Sequence, residues 1–267
     1  MSVCNYISSL LTASLSATLL FAIASCSDVS PDERTLYVEP ANVTRSVLIE
    51  DFTGQRCLNC PNASEQIDKL QQQYGDSAIV AVSIHSGPLG FAGNSKLMGL
   101  STDTGNDYYN HWNVPYQPAG MVDRQGVENY TAWAESARNE LQKEASVKLT
   151  VANSFNADTR TLTVSATAYP LTATTITGKL QLWLVEDSIT AYQKMPDGSN
   201  NFNYLHRHVF RKAINDTWGT DMQIPANNMA SDTFSTTVPK EWNEKHLSVV
   251  AFIYNDNGVL QVTIKHL

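Results

Sequence analysis

The chain has 267 residues, with 18 Lys and Arg against 26 Asp and Glu, for a formal net charge of -8. With 42% hydrophobic and only 16% charged residues it can build a core, which excludes wholesale disorder. Four cysteines in this length exclude a disulfide-dense scaffold, and an acidic balance without a long basic run excludes a nucleic-acid-binding surface.

Residues 1–25 carry no charged side chain, and Leu19-Leu20-Phe21-Ala22-Ile23-Ala24 is an apolar stretch that ends in small residues. That pattern reads as a secretory signal. Ile23-Ala24-Ser25-Cys26 resembles the lipobox of bacterial lipoproteins, where cleavage falls before the cysteine and its thiol is acylated. The resemblance implies a lipoprotein signal peptide at 1–25 and lipidation, such as diacylglyceryl and palmitate groups, at Cys26. One departure is an n-region without Lys or Arg. Acyl chains at Cys26 would anchor the protein without a spanning helix. Residues 26–43 then form the lipidated cysteine and a tether, with Pro31 and Pro40 and no apolar periodicity. Ser27 rather than Asp follows the cysteine, which by the sorting rule of enteric bacteria points to the outer membrane.

Residues 44–144 alternate strand and helix signals. Ser46 to Phe52 is an apolar run of strand length with Glu50 and Asp51 near its end. Thr53-Gly54-Gln55-Arg56 is a turn, followed by Cys57-Leu58-Asn59-Cys60-Pro61. Ala63, Ile67, Leu70 and Tyr74 share a helical face, Pro61 suits the first turn, and Gly75 suits the C-terminal cap. Ser77 to Ile84 reads as a second buried strand. The spacing therefore puts Cys57 at a helix N-terminus, where free N–H groups stabilise a thiolate, with Arg56 as a neighbouring cation. Cys57 is the expected nucleophile and Cys60 the resolving thiol. An inert structural disulfide is the rival reading, since the compartment is oxidising. A zinc site would need two further ligands at matching spacing, and no second C-x-x-C exists.

These residues resemble the thioredoxin fold. Asp51 stands six positions before Cys57, where that fold carries a buried acid that takes the proton of the resolving cysteine. Alternation sends Glu50, the competing acid, to the opposite face. Trp112 to Asp123 resembles the segment that leads into a cis-proline and a strand, with Pro118 in the proline position. The resemblance implies that the Gln117 backbone lies beside the disulfide, where substrate peptides pair. Residues 86–110 form a long insertion in this pattern, usually helical at its end and bordering the active-site face. Tyr130 to Lys143, with Trp133, Ala137 and Leu141 spaced four apart, reads as a closing helix. Arg56 stands where thioredoxins carry tryptophan and Leu58-Asn59 where they carry Gly-Pro, so the redox direction stays open.

From 145 to 267 the period changes to two. Val147–Val151, Leu162–Ala166 and Leu180–Val185 read as strands, as do Leu205–Arg211, Ser231–Val238, Leu247–Tyr254 and Val259–Ile264. Asn255-Asp256-Asn257-Gly258 is a hairpin turn. The pattern fits an all-β, immunoglobulin-like sandwich after the α/β domain. His206-Arg207-His208 would place two imidazoles on one strand face, but no carboxylate or Cys partner is evident. A packed pair is the expectation, with no metal and no cofactor.

The whole arrangement resembles the outer-membrane lipoproteins named after a twenty-eight-kilodalton outer-membrane protein of anaerobic Gram-negative bacteria. The residues that carry this are Cys26, Glu50-Asp51-Phe52-Thr53-Gly54 leading to Cys57-x-x-Cys60-Pro61, Pro118-x-Gly120-x-x-Asp123-Arg124, and Tyr204-x-His206-x-His208-Val209-x-Arg211. The family implies a thioredoxin-like domain plus a β domain, anchored in the outer membrane with a periplasmic or surface-facing orientation. Two functions follow as expectations. One is thiol–disulfide exchange on the thiols or disulfides of exported proteins, with Cys57, Cys60, Asp51 and Pro118 as the working residues and Arg56, Glu50 and Gln117 in support. The other is a non-enzymatic lipoprotein that binds a protein or glycan, with a disulfide that only staples the chain.

Overall fold

The computed structural model describes residues 45–267; the signal segment 1–25, Cys26 and the tether 26–43 lie outside the described residues. β1 (Val47–Thr53) and β2 (Ile79–His85) pair in parallel, with Asp51 opposite Ser83. Both are buried along their whole length, as strands are when both faces are covered. Between them runs α1 (Cys60–Tyr74), which turns Cys60, Ala63, Ile67 and Leu70 inward and stops at Gly75, whose φ is 90°. β2 starts two residues later than Ser77, because the Ala78 and Ile79 N–H groups still donate to the Gly75 carbonyl.

The insertion ends in a helix, α2 (Asp103–His111), with the Thr102 side chain accepting from the Gly105 N–H at 3.0 Å. β3 (Ala119–Val122) joins β1 antiparallel, and the short β4 (Glu128–Asn129) follows. α3 (Trp133–Leu141) buries Trp133, Ala137 and Leu141, the residues spaced four apart. These three pack with α1 against Val47, Ile49, Ile79 and Ala81, on one face of β1 and β2.

The second half is β-rich. β5 (Val147–Asn156), β6 (Thr161–Pro170) and β12 (Ala230–Thr237) form a three-stranded sheet. It faces β7 (Ile176–Glu186) and β13 (Leu247–Asn255), and Leu162, Val164, Leu182, Leu184, Val249 and Ala251 fill the space between. This is the expected sandwich. β7 is buried on both faces, however: Leu182 and Leu184 point into the sandwich, while Trp183 and Val185 point into a second core with Phe52, Val80 and Ile84.

That second core exists because one mixed sheet runs through both halves, in the order β14-β13-β7-β10-β2-β1-β3-β4. β14 (Gly258–His266) closes the hairpin at Asn255–Gly258, and β10 (Val209–Ala213) is the joint, parallel to β2 and antiparallel to β7. The sheet curls until β14 returns to the first half, where the Val259 N–H donates to the Asp123 carbonyl at 2.9 Å. α2 caps the second core. Tyr108 there accepts from Trp183 Nε1 at 3.0 Å and donates to the Thr217 carbonyl at 2.6 Å, so its buried hydroxyl is satisfied.

The expected strand Leu205–Arg211 is broken in two. β9 (Asn200–His206) ends before β10, and His208 between them has φ 55°. The cause is a pair of partners distant in sequence: the His208 N–H donates to Asp187 Oδ1 at 2.7 Å, and its carbonyl accepts from Ser83 N at 2.7 Å. The two imidazoles therefore do not lie on one continuous strand, although both border the same cavity. His206 packs on His85 and His208 bonds Gln71. β9 pairs only with β8 (Ile189–Lys194), as a separate two-stranded ribbon, and β11 (Thr220–Ile224) lies beside β7. β8 and β11 are short strands that carry no alternation strong enough to be read from sequence.

Candidate functional site

The site is built at the C-terminal end of β1. Gly54 is required there, since a Cβ would lie 2.2 Å from the Leu89 carbonyl oxygen. The Cys57 N–H donates to the Gly54 carbonyl at 3.0 Å and closes a tight turn. Cys57 and Cys60 form a disulfide. Cys60, not Cys57, is the first helical residue: Asn59 is the N-cap, and Pro61 sits in the first turn where its missing N–H costs nothing. Cys57 belongs to the preceding turn, which corrects its expected place at the helix N-terminus. Arg56 points outward, and its guanidinium stands 4.8 Å over the Phe91 ring.

Both cysteines are almost fully covered, with 1% of Cys57 and 2% of Cys60 exposed. The cover is fastened by two buried glutamines. Gln193 of β8 donates to the Cys57 carbonyl at 2.9 Å and the Gly54 carbonyl at 3.3 Å. Gln55 donates to the Tyr192 carbonyl at 2.9 Å and the Met98 carbonyl at 3.1 Å, and accepts from the Leu100 N–H at 2.8 Å. The ribbon and the insertion are thus tied to the cysteine loop. Gln117 adds a third tie, donating to the carbonyls of Thr53 at 2.7 Å and Ser86 at 2.9 Å. The Gln117–Pro118 peptide bond is cis, as the sequence pattern predicts.

Alternation on β1 separates the two acids. Glu50 turns to the second core and meets Arg124, with Nη2 to Oε1 and Nε to Oε2 both at 3.1 Å. Asp51 turns to the α1 face. It is wholly buried, and neither carboxyl oxygen has a hydrogen-bond partner. Burial pushes its pKa up to about 8. The neighbouring Ser83 hydroxyl opposes that shift without closing a hydrogen bond of standard geometry.

Ser83 also lines a cavity of about 240 Å³ with Cys60, Pro61, Ser64, Tyr204, His85 and His206. The imidazoles of His85 and His206 meet at 5.1 Å between ring centres. Burial, then the charge of His206, then that of Arg211, holds the His85 pKa well below the ordinary histidine range. Burial lowers His206 to about 4. Both rings are therefore neutral at physiological pH, and His85 Nδ1 has no partner. Burial raises the Tyr204 hydroxyl, and the nearby Asp51 charge adds to this. The structure thus brings Cys60, His85, His206 and Tyr204 into one polar chamber behind the disulfide, with Asp51 outside its lining, opposite Ser83 on the neighbouring strand. Gln193 had no local signal, and Tyr204 was marked only by the Tyr204-x-His206-x-His208 motif; each lies more than 100 residues from the cysteines and reaches them through the β8–β9 ribbon.

A family model described as outer membrane protein Omp28 matches residues 105–267. The chain belongs to this family. Membership in the Omp28 family gives the location, the outer membrane. The Omp28 match begins within α2, so β1, the cysteine turn and α1 precede it. No curated protein matches the chain. Among solved structures, HBP35 of Porphyromonas gingivalis is similar at 14% identity over 85% of this chain and 77% of that one, with a TM-score of 0.63, a likeness of fold. A domain of the outer membrane lipoprotein Omp28 from Porphyromonas gingivalis matches at 20% identity over 46% of this chain and 88% of that one, with a TM-score of 0.34. No helix among the described residues is long and apolar enough to cross a membrane.

Proposed function

We propose that this Omp28-family protein is held in the outer membrane by acyl chains on Cys26 and carries a thiol–disulfide exchange site in a thioredoxin-like unit. The unit spans residues 44–144 in sequence, and the immunoglobulin-like β-sandwich spans 145–267. The observation that carries this reading is Asp51, a wholly buried carboxyl without a partner and with a pKa near 8, on the same face of β1 as the helix that bears Cys60. A structural site has no use for an unpaired buried acid, whereas a proton acceptor for a thiol needs a pKa in that range.

In the reduced protein the Cys57 thiolate attacks one sulfur of an exported protein's disulfide, and the other substrate sulfur leaves as a thiolate. Asp51 takes the Cys60 proton. The Cys60 thiolate then attacks Cys57 Sγ, which forms the Cys57–Cys60 bond and releases the second substrate thiolate. Pro118 and Gln117 border the approach, and Arg56 supplies a cation beside the cysteine turn. The covered disulfide means that the β8–β9 ribbon must lift before a protein substrate can reach Cys57.

The test is the pH dependence of exchange between the reduced protein and a peptide disulfide. The rate is expected to rise through about pH 8 and to lose that step in Asp51→Asn. A Cys60→Ser variant should trap mixed disulfides in cells. An untrapped variant and a disulfide that resists glutathione at every pH would sink the reading. The near-complete burial of both cysteines favours the second reading, a staple in a partner-binding lipoprotein, and that result would establish it. Anchoring is tested separately: Cys26→Ser should move the protein out of the membrane fraction.

A further inference from the structure

On the Glu50 side of β1, opposite Asp51, a cleft of about 1010 Å³ opens between the end of α2, the β7–β11 edge and the β13–β14 hairpin. Small-molecule sites commonly enclose roughly 300–1,000 Å³, so the cleft has room for more than one ring. Trp112, Trp218 and Tyr254 line it and are all half-buried, with part of each side chain open to solvent. Their positions are fixed in advance. The Tyr254 hydroxyl donates to the Trp218 carbonyl at 2.5 Å, and the His111 ring lies 4.3 Å from that of Trp218. Walls held this way lose little freedom when a ligand enters.

Charge decides the ligand class. Arg124 at the floor is committed to Glu50 and stands 4.2 Å over the Tyr254 ring. Lys179 is paired with Asp221 at 2.7 Å. Asp256 has no ion-pair partner among the described residues, and the amides of Gln223 and Asn255 complete the rim. An anion would meet the carboxylates of Asp221 and Asp256 at the rim, while the one Arg124 nitrogen without a partner, Nη1, is buried behind the Tyr254 ring. A cation would meet the guanidinium that already occupies the Tyr254 face. A purely apolar ligand would strand the amides and carboxylates of the rim. What remains is a neutral molecule with flat C–H faces and many hydroxyls. We propose that this cleft binds a neutral oligosaccharide. Its sugar faces lie on Trp112 and Trp218, and its hydroxyls donate to Asp256 and bond the amides of Gln223 and Asn255.

The proposal does not depend on the cysteine site. It is tested on the mature chain with a printed array of neutral glycans. Affinity electrophoresis then runs the chain through gels cast with laminarin, xyloglucan, starch or, as the anionic control, hyaluronan. The expected result is binding to at least one neutral glycan and retardation in the matching gel. Affinity should fall at least tenfold in Trp218→Ala and severalfold in Asp256→Ala, and should survive reduction of the disulfide. Trp218 also packs on Tyr108, so Asp256→Ala, in an exposed hairpin turn, decides the matter if Trp218→Ala fails to fold. No neutral glycan bound, retardation by hyaluronan alone, or binding unchanged in both variants would overturn the proposal.

Discussion

Two carboxylates adjacent in sequence occupy opposite kinds of interior. Glu50 faces a core in which its charge is answered twice by Arg124, itself ringed by Tyr254 and Phe252. Asp51, one residue on, faces α1 and has no cation to answer it, only the Ser83 hydroxyl nearby. Both are fully buried on the same strand. Burial alone therefore does not mark a working acid. Removing one partner of the buried pair leaves an uncompensated charge, whereas the acid with no cation beside it is pushed toward its protonated form by burial.

The comparison breaks most severely at Glu50. Glu50→Gln leaves the Arg124 guanidinium buried without its counter-charge, and urea unfolding should show a loss of about 3–5 kcal/mol. Asp51→Asn should move the other way. The folded pKa, about 8, lies above the ordinary 3.8, so the folded state holds a proton that the unfolded chain releases between these values. The associated stability is complete below about pH 4 and is lost as pH rises through 8, so removing the titration should add on the order of 4 kcal/mol near pH 7. A variant no more stable than wild type across that window would contradict the isolation of Asp51.

The chamber histidines have the opposite sign. His206 titrates near 4 in the folded protein against 6.5 ordinarily, so the unfolded chain binds the extra proton. Its contribution is complete above pH 6.5 and is lost toward pH 4, by about 3 kcal/mol. In Asp51→Asn the histidine slope should emerge beside that of Asp123, whose burial raises its pKa to about 7, and His206→Gln should remove the histidine part. The smallest effect is expected at Gln193. Gln193→Ala removes two bonds that hold the ribbon to the cysteine turn, each worth about 0.5–1.5 kcal/mol. Reduction of the disulfide by dithiothreitol should accelerate by roughly tenfold, which corresponds to about 1.4 kcal/mol. An unchanged rate would show that the ribbon does not gate access.

Much of this was legible in the chain. The parity of β1 sorted Glu50 from Asp51, and Pro61 and Gly75 bracketed α1. The four-residue spacing of Trp133, Ala137 and Leu141 marked the buried face of α3. What could not be read depended on distant partners. Cys57 precedes the helix because its N–H is spent on Gly54, a turn fixed by the approach of Leu89. The break at His208 depends on the carboxylate of Asp187. The covering of the cysteines depends on Gln193, whose bonds span 136 and 139 residues. None of these leaves a periodic trace in its own neighbourhood.

The strand β7 has a consequence for inheritance. Because one of its faces belongs to the sandwich and the other to the core beneath β1 and β2, neither half can be moved to another protein intact. A fragment of residues 145–267 would bare Trp183, Phe210 and Phe252 and leave the β10 edge without β2. A fragment ending at 144 would lose the ribbon that hides its cysteines. The two segments differ in periodicity as though joined from separate modules, yet they share a seam that neither could close alone.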